Sequence, residues 1–200
     1  MGPGLVGVGV LLVGACGGKA PPMAEDPRAP APDLRGATVM LLPVQARGGL
    51  RGLDAELEFW LAEALPGTRW VLRPAMERAV RRSPEWSVSL DALPVGRFFQ
   101  AEMEVIGEPL YSDLRRLGAV LDARLALIPM AAFVRQAPEG EEPSPDAPGR
   151  VEIAAAVVDT MGGRVLWYGI VAGETGPAPD SRVLASAARA LARHLGHLNE

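Results

Sequence analysis

The sequence predicts an α/β (α+β) sandwich, in which helices pack on a mixed β-sheet of about five strands. Three observations predict this fold class. Apolar runs of strand length alternate with segments of helical periodicity through the first half of the folded part. Two long apolar runs on either side of a Gly-Gly turn then predict a hairpin. A final apolar stripe at helical spacing completes the pattern. A signal peptide and a Pro-rich tether are expected to precede this domain.

The chain opens with a short apolar run that ends at its only cysteine, Cys16. Residues 5–15 have the length of a signal-peptide core and are too short to span a bilayer, which takes about 20 residues. The small residues Gly14 and Ala15 precede the cysteine, as a signal peptidase requires when the cysteine sulfur is to carry a lipid. The first four residues contain no Lys or Arg, so the positive start of a signal peptide is missing. The alternative is a buried strand with a core cysteine, and the proline-rich tract that follows favours the signal peptide.

The stretch Val13-Gly14-Ala15-Cys16 resembles the lipobox of bacterial lipoproteins. The resemblance implies cleavage between Ala15 and Cys16 and lipidation of the Cys16 thiol. The mature protein would then be held on a membrane in the cell envelope. Gly17 is not the Asp that retains lipoproteins in the inner membrane under the usual enterobacterial rule. In a cell with two membranes, the periplasmic face of the outer membrane is therefore favoured.

A tether and one domain are expected after the cleavage point. Residues 16–36 comprise the lipidated Cys16 and a linker that is rich in proline and lacks apolar periodicity. Such a segment is an extended spacer at about 3 Å per residue in its Pro-rich parts, and a disordered linker would serve the same purpose. Residues 37–200 are expected to form a single α/β domain, long enough for a core.

The first half of the domain is expected to alternate strands and helices. A continuous apolar run over residues 37–44 predicts a buried strand. An apolar stripe from residue 53 predicts a helix that ends at Pro66-Gly67. Residues 68–72 predict a second strand, and Pro74 suits the first turn of a helix that ends near Arg82. Residues 83–107 lack a clear period, and a helical turn is expected at 98–103.

The second half is expected to contain a helix over 108–121, three strands and a last helix. The first of these strands, residues 124–135, contains Pro129, which predicts either a bulge or an edge position. Residues 136–149 predict an exposed acidic loop without the regular spacing of a calcium loop. The strands 151–159 and 164–172 predict a hairpin, for which Gly162 and Gly163 supply positive φ angles. The last helix is expected to begin at a capping residue, Asp180 or Ser181.

Three short motifs have a familiar arrangement: Leu42-Pro43, the stretch 118–129, and the hairpin residues Asp159, Gly163 and Val165-Leu166-Trp167. Together they resemble envelope lipoproteins and periplasmic domains of the curli-channel-lipoprotein, penicillin-binding-protein-activator and TolB amino-terminal-domain type. The resemblance implies a non-catalytic domain that docks on an envelope partner or assembles with copies of itself. The hairpin is apolar on both faces and lacks the alternation of a membrane-barrel strand, which argues against a pore.

Composition and motifs exclude several other functions. The net charge of −4 gives no basic footprint for nucleic acid. One cysteine excludes an intramolecular disulfide and a cysteine-based zinc site. The chain has no G-x-S-x-G motif, and its only histidines, His194 and His197, have no carboxylate-rich partner segment. We therefore expect no catalytic residue, no metal site and no cofactor.

The remaining charge feature is an arginine cluster on the second predicted helix, formed by Arg73, Arg78, Arg81 and Arg82. It is a candidate partner surface for an acidic protein or for anionic lipid headgroups. The alternative is a solvated helix face that Glu77 and Glu85 balance. The sequence thus predicts a lipid-anchored envelope protein that works by protein binding. A lipoprotein that carries a small apolar or lipid ligand is the alternative, and a hydrolase with an unrecognised site is a third hypothesis.

Overall fold

The structure of this protein is a computed structural model that describes residues 31–83, 86, 88–96, 104–136, 148–177 and 180–196. The elements follow one another as β1 Thr38–Leu41, α1 Leu53–Ala64, β2 Arg69–Val71, α2 Arg73–Arg81, α3 Leu110–Leu121, β3 Leu125–Gln136, β4 Pro148–Asp159, β5 Val165–Ala172, β6 Gly176–Pro177 and α4 Ser181–Gly196. Apart from the short β6, this is the predicted order. The predicted signal peptide, the helical turn at 98–103 and most of the acidic loop lie outside the described residues.

The strands form one mixed sheet in the order β2-β1-β3-β4-β5, with β6 beside the start of β4. Strands β2, β1 and β3 are parallel, because helices on the faces of the sheet connect them. Strands β4 and β5 are antiparallel to their neighbours, as expected for consecutive hairpin strands. The predicted mixed α/β sandwich is confirmed.

Each face of the sheet carries its own apolar layer. Helices α1 and α4 cover one face, where Leu61 and Leu191 are fully buried. Helices α2 and α3 cover the other face, where Met76 and Leu114 are fully buried. The strand β4 lies between the two layers, which explains why its residues 151–158 are buried without alternation. No helix within the described residues is long and apolar enough to cross a membrane.

Pro129 lies inside the sheet, because β3 has β1 on one side and β4 on the other. The edge alternative for this residue is therefore wrong, and the bulge alternative is confirmed. The register with β4 shifts between Pro129 and Ala131. Beyond β1, the N–H groups of Gln45 and Ala46 donate to the carbonyls of Pro129 and Met130 at 3.0 and 3.2 Å. The missing proline donor is thus accommodated by a local irregularity of the ladder.

The turn between β4 and β5 uses one of its two glycines as predicted. Gly163 has a φ of +68°, whereas Gly162 does not have a positive φ, so the expectation for Gly162 is wrong. The Gly163 N–H donates to the Asp159 carbonyl at 2.8 Å, and the Met161 N–H donates to Asp159 Oδ1 at 3.0 Å. A Cβ on Gly163 would lie 2.9 Å from Cδ2 of Tyr111. Both the positive φ and the neighbouring ring therefore favour glycine at position 163.

We expect Gly163→Ala to lower the free energy of unfolding by about 2 kcal/mol, because a side chain at positive φ is strained. The clash with the Tyr111 ring adds to this loss. Urea unfolding of the full chain, followed by far-UV circular dichroism, measures the change. Gly162→Ala is the matched control in the same turn; its Cβ would lie 3.2 Å from Asp159 Oδ2, so we expect a smaller loss of about 1 kcal/mol or less. Equal losses in the two variants would contradict the assignment.

The N-terminus of α4 is capped by Asp180, one of the two predicted residues. Its Oδ1 accepts the Arg182 N–H at 3.2 Å and the Ser181 hydroxyl at 3.1 Å. These hydrogen bonds hold the pKa of the Asp180 carboxyl below its ordinary value, and the bond from the Arg182 backbone N–H has the largest effect. Ser181 is the first residue of the helix and donates to the cap.

Candidate functional site

The predicted site residues fall in two places. Ala15 and Cys16 lie outside the described residues, so lipidation stays a prediction. The four arginines lie on α2 and directly after it, on the sheet face that α2 and α3 cover. Arg73 lies at the start of this helix and the other three lie toward its end.

Arg73 is engaged within the chain. Its Nε donates to Glu77 Oε1 at 2.8 Å, and its Nη1 donates to Asp91 Oδ1 at 2.8 Å, with a second close contact from Nη2 to Oδ2. Arg47 contacts the same Asp91 carboxylate at 2.7 Å and lies 3.1 Å from Asp54 Oδ2. The pKa of the Asp91 carboxyl lies below its ordinary value, mainly because of the hydrogen bonds that Arg73 donates to it. This network ties α2 to the 88–96 segment and to the loop after β1.

A shallow depression, with room for about one water molecule, lies beside this network at the carboxyl ends of β1 and β2. Ligands of open α/β sheets often bind at such strand ends. Here Asp54 accepts the Val44 N–H at 2.8 Å and forms an ion pair with Arg47, so its charge is already neutralised within the chain. Glu58 has a raised pKa, caused mainly by partial burial and then by Asp54. The lining residues are Leu41, Leu42, Pro43, Asp54, Leu57, Glu58 and Arg73. They include no Ser, Cys or His nucleophile or base. The geometry therefore favours a structural role, in which Arg47 and Arg73 hold α2, the 88–96 segment and the loop after β1 together.

Two further arginines join the arginine cluster from another helix. Arg115 and Arg116 are exposed on α3, which packs beside α2 on the same face of the sheet. Each helix buries its opposite side, α2 through Met76 and α3 through Leu114, so the exposed sides of both helices point away from the sheet. We call this surface the arginine face; its members are Arg78, Arg81, Arg82, Arg115 and Arg116.

The arginine face is poorly neutralised by its own helices. Arg81 lies 3.7 Å from Glu77 Oε2, while the other four members form no ion pair within the described part of the chain. The acids of α2 and α3, Glu77 and Asp113, are half-buried, and Asp113 accepts the Trp86 indole N–H at 3.2 Å. Among the exposed side chains of α3, Val120 is 59% exposed. The surface is therefore cationic with one apolar residue on it.

Sequence reasoning found the α2 arginines and missed those on α3. The signal for Arg115 and Arg116 is their position opposite the buried leucines of α3, which makes them exposed. Their proximity to α2 follows only from the way in which the two helices pack on the sheet. No local pattern predicts this proximity, because the 28 residues 82–109 separate the two helices.

The two histidines of the predicted last helix were the other candidates for chemistry in the sequence. His197 lies outside them, and the ring of His194 packs beside Trp167 with 5.4 Å between ring centres. No group of three His, Cys, Asp or Glu side chains within the described ranges is placed to hold a metal ion. The alternative of an apolar-ligand carrier needs space between sheet and helices, and Leu61, Leu191 and Leu114 fill those two layers.

No model of a known protein family matches this sequence, and no curated protein matches it. Similar solved structures include a PelC dodecamer from Paraburkholderia phytofirmans, which is 14% identical over 86% of this chain and 96% of its own, with a TM-score of 0.44. The lipoprotein GNA1162 from Neisseria meningitidis is 14% identical over 80% of this chain and 99% of its own, with a TM-score of 0.42. The hypothetical protein CT253 from Chlamydia trachomatis is 13% identical over 82% of this chain and 93% of its own, with a TM-score of 0.36.

One of these three proteins is described as a lipoprotein, the class of protein that the sequence analysis predicts for this chain. None of them carries the name of the curli-channel, penicillin-binding-protein-activator or TolB families, so that narrower resemblance stays a prediction. The similarity is distant in every case. No function, partner or assembly is therefore transferred from these proteins to this chain.

Proposed function

We propose that this chain is a lipid-anchored protein of the bacterial cell envelope, without catalytic activity, that docks on another protein through its arginine face. The observation that carries the proposal is the arginine face itself. Helices α2 and α3, with Arg82 directly after α2, present five exposed arginines in a chain whose net charge is −4. The acids within the two helices, Glu77 and Asp113, are half-buried, and the exposed acids Glu108 and Asp122 flank α3. Arginine is enriched in protein interfaces because its planar guanidinium binds carboxylates and stacks on aromatic rings.

The polar network beside the depression supports the absence of catalysis. Its two arginines and its acids Asp54 and Asp91 neutralise one another within the chain. A general acid or base needs a free titratable group beside a reacting atom. Glu58 is the one acid of the depression without an ion pair in the described residues, and no nucleophile accompanies it among the lining residues.

The entry of the chain into the domain supports the anchor. Ala31 and Leu34 are already buried in the layer under α1 and α4, and the Leu34 carbonyl accepts the Thr68 hydroxyl at 3.0 Å. From Cys16 to Ala31 the chain has about 15 residues, which reach about 45 Å when extended. A tether of this length leaves the arginine face able to meet partners on the same membrane.

We expect the double variant Arg115→Glu/Arg116→Glu to bind its protein partner about tenfold or more weakly than the wild type does. The reason is that close interfacial charge pairs couple by about 1.5 kcal/mol or more. The measurement is quantitative cross-linking and recovery of the full, membrane-bound chain from detergent-solubilised envelopes. Arg51→Glu/Arg193→Glu is the matched control, because both arginines are exposed and lie outside the arginine face. Equal recovery of partners, including further copies of the chain, by wild type and both variants would contradict the proposal.

A further inference from the structure

Helix α1 is acidic and lies on the face of the sheet opposite to α2 and α3. It carries four carboxylates and no basic residue. Asp54 is paired with Arg47, whereas Glu56, Glu58 and Glu63 form no ion pair within the described residues. Glu56 accepts the indole N–H of Trp60 at 3.2 Å. We call the outer side of α1 the glutamate face; its members are Glu56, Phe59 and Glu63, whereas Glu58 lies on the flank of the helix that lines the depression.

One carboxylate of the glutamate face disfavours its own helix. Glu63 stands in the last turn, next to the negative end of the helix dipole, and that turn contains no basic residue. Asp54 and Glu56, in contrast, lie in the first turn, where the dipole favours acids. A cationic surface placed against the outer side of α1 would remove the penalty at Glu63.

An exposed aromatic residue lies between these carboxylates. Phe59 is 55% exposed, and at 100° per residue it points directly away from the buried side of α1. Its ring packs edge-to-face on Trp60, with 5.1 Å between ring centres, so it is held in place. An apolar anchor with a charged rim is the usual arrangement of an interface hot spot. Among the described residues, the exposed large apolar side chains are Phe59, Val105, Val120 and Met161.

The two charged faces are therefore complementary. The glutamate face places Glu56 and Glu63 beside Phe59, and on α3 Arg116 lies one helical turn before the exposed Val120. The exposed Phe59 also offers a ring on which a guanidinium group can stack, whereas the Trp60 ring already carries Arg189 of its own chain at 5.4 Å. An anionic membrane would satisfy the arginine face but would leave the glutamate face without a role, whereas a second copy satisfies both.

We infer that the glutamate face of one copy binds the arginine face of a second copy. This inference rests on the proposed function and names the partner of the arginine face. The two faces lie on opposite sides of the sheet. Two copies joined by one contact therefore still have one free glutamate face and one free arginine face between them. Such a head-to-tail contact repeats into a ring or an open filament and does not stop at a symmetric dimer.

A charge exchange tests the inference on the full lipidated chain, extracted in mild detergent and analysed by sedimentation velocity. Glu56→Lys/Glu63→Lys and Arg115→Glu/Arg116→Glu should each weaken self-association about tenfold or more, because like charges then meet across the contact. Mixing the two variants should restore association, since each reversed face again meets its opposite. A misfolded variant is not rescued by mixing, so rescue separates the contact from a loss of structure.

Two results would overturn the inference. Wild type that stays monomeric, while Arg115→Glu/Arg116→Glu still loses an envelope protein, would leave the proposed function standing and exclude the second copy. Arginine-dependent binding of the non-lipidated Cys16→Ser chain to vesicles of anionic phospholipid, without self-association, would make the membrane the partner. Association that neither double variant weakens would also exclude this contact. The supporting result is loss in each double variant followed by rescue in the mixture.

Discussion

Cys16→Ser is expected to abolish retention of the protein on the membrane. The wild-type chain should have the mass of residues 16–200 plus acyl groups, and the variant should remain unprocessed and unacylated. One acyl chain binds a bilayer with only about 10⁴ M⁻¹, and each buried CH₂ adds about 0.8 kcal/mol, so two or three chains make release negligible. Intact-mass spectrometry and membrane fractionation of the chain with its own leader measure both effects.

Ala20→Ser is the matched control for this experiment, because it places the same side chain in the tether without touching the predicted cleavage point. It should be acylated and retained like the wild type. A wild-type chain that is itself unprocessed and free of lipid would remove the envelope location and the proposal that depends on it. The fold and the two charged faces would be unaffected by that result.

Gly173→Ala is expected to destabilise the domain by about 3 kcal/mol, the largest loss among the glycine substitutions considered. A Cβ at this position would lie 2.6 Å from the backbone nitrogen of Ala187 and 2.5 Å from the hydroxyl oxygen of Ser186. Both contacts are with α4, and the backbone cannot move without lifting the helix from the sheet. Chemical denaturation of the full chain gives the change in the free energy of unfolding.

Gly96→Ala is the control for this variant, since a Cβ there meets no atom within 4 Å and the residue has no positive φ. We expect its effect to stay within about 0.5 kcal/mol. If Gly173→Ala unfolds at the same denaturant concentration as the control, α4 does not lie as close to β5 as the structure shows.

The fold followed from the sequence where one residue pattern had one structural solution. The unbroken apolar run of β4 requires burial on both faces, and the stripe of α4 requires a single apolar contact, so both elements were predictable. Pro129 had two solutions, because a proline can lie at an edge or at a bulge. Only the pairing of β3 with both β1 and β4 decides between them.

The candidate site was less predictable, because it is made by tertiary packing. Arg78 and Arg82 are visible as a basic run on one helix, whereas Arg115 and Arg116 join them only through the packing of α3 on α2. Arg73 belongs to the same basic run, yet its charge is neutralised by an ion pair with Asp91, which lies 18 residues away in an irregular segment. Which charges remain free for a partner is thus decided by contacts that no local pattern encodes.

The way in which the N-terminal segment enters the domain and continues into β1 has a mechanical consequence. The chain enters at Leu34, the Gly36 N–H donates to the Gly67 carbonyl at 2.9 Å, and β1 then runs between β2 and β3. A pull directed along β1 therefore acts at right angles to hydrogen bonds on both sides of that strand, which must break together and not one after another. A load of this kind would be carried by the middle of the sheet, so the domain would resist unfolding when it is pulled from its N-terminal side.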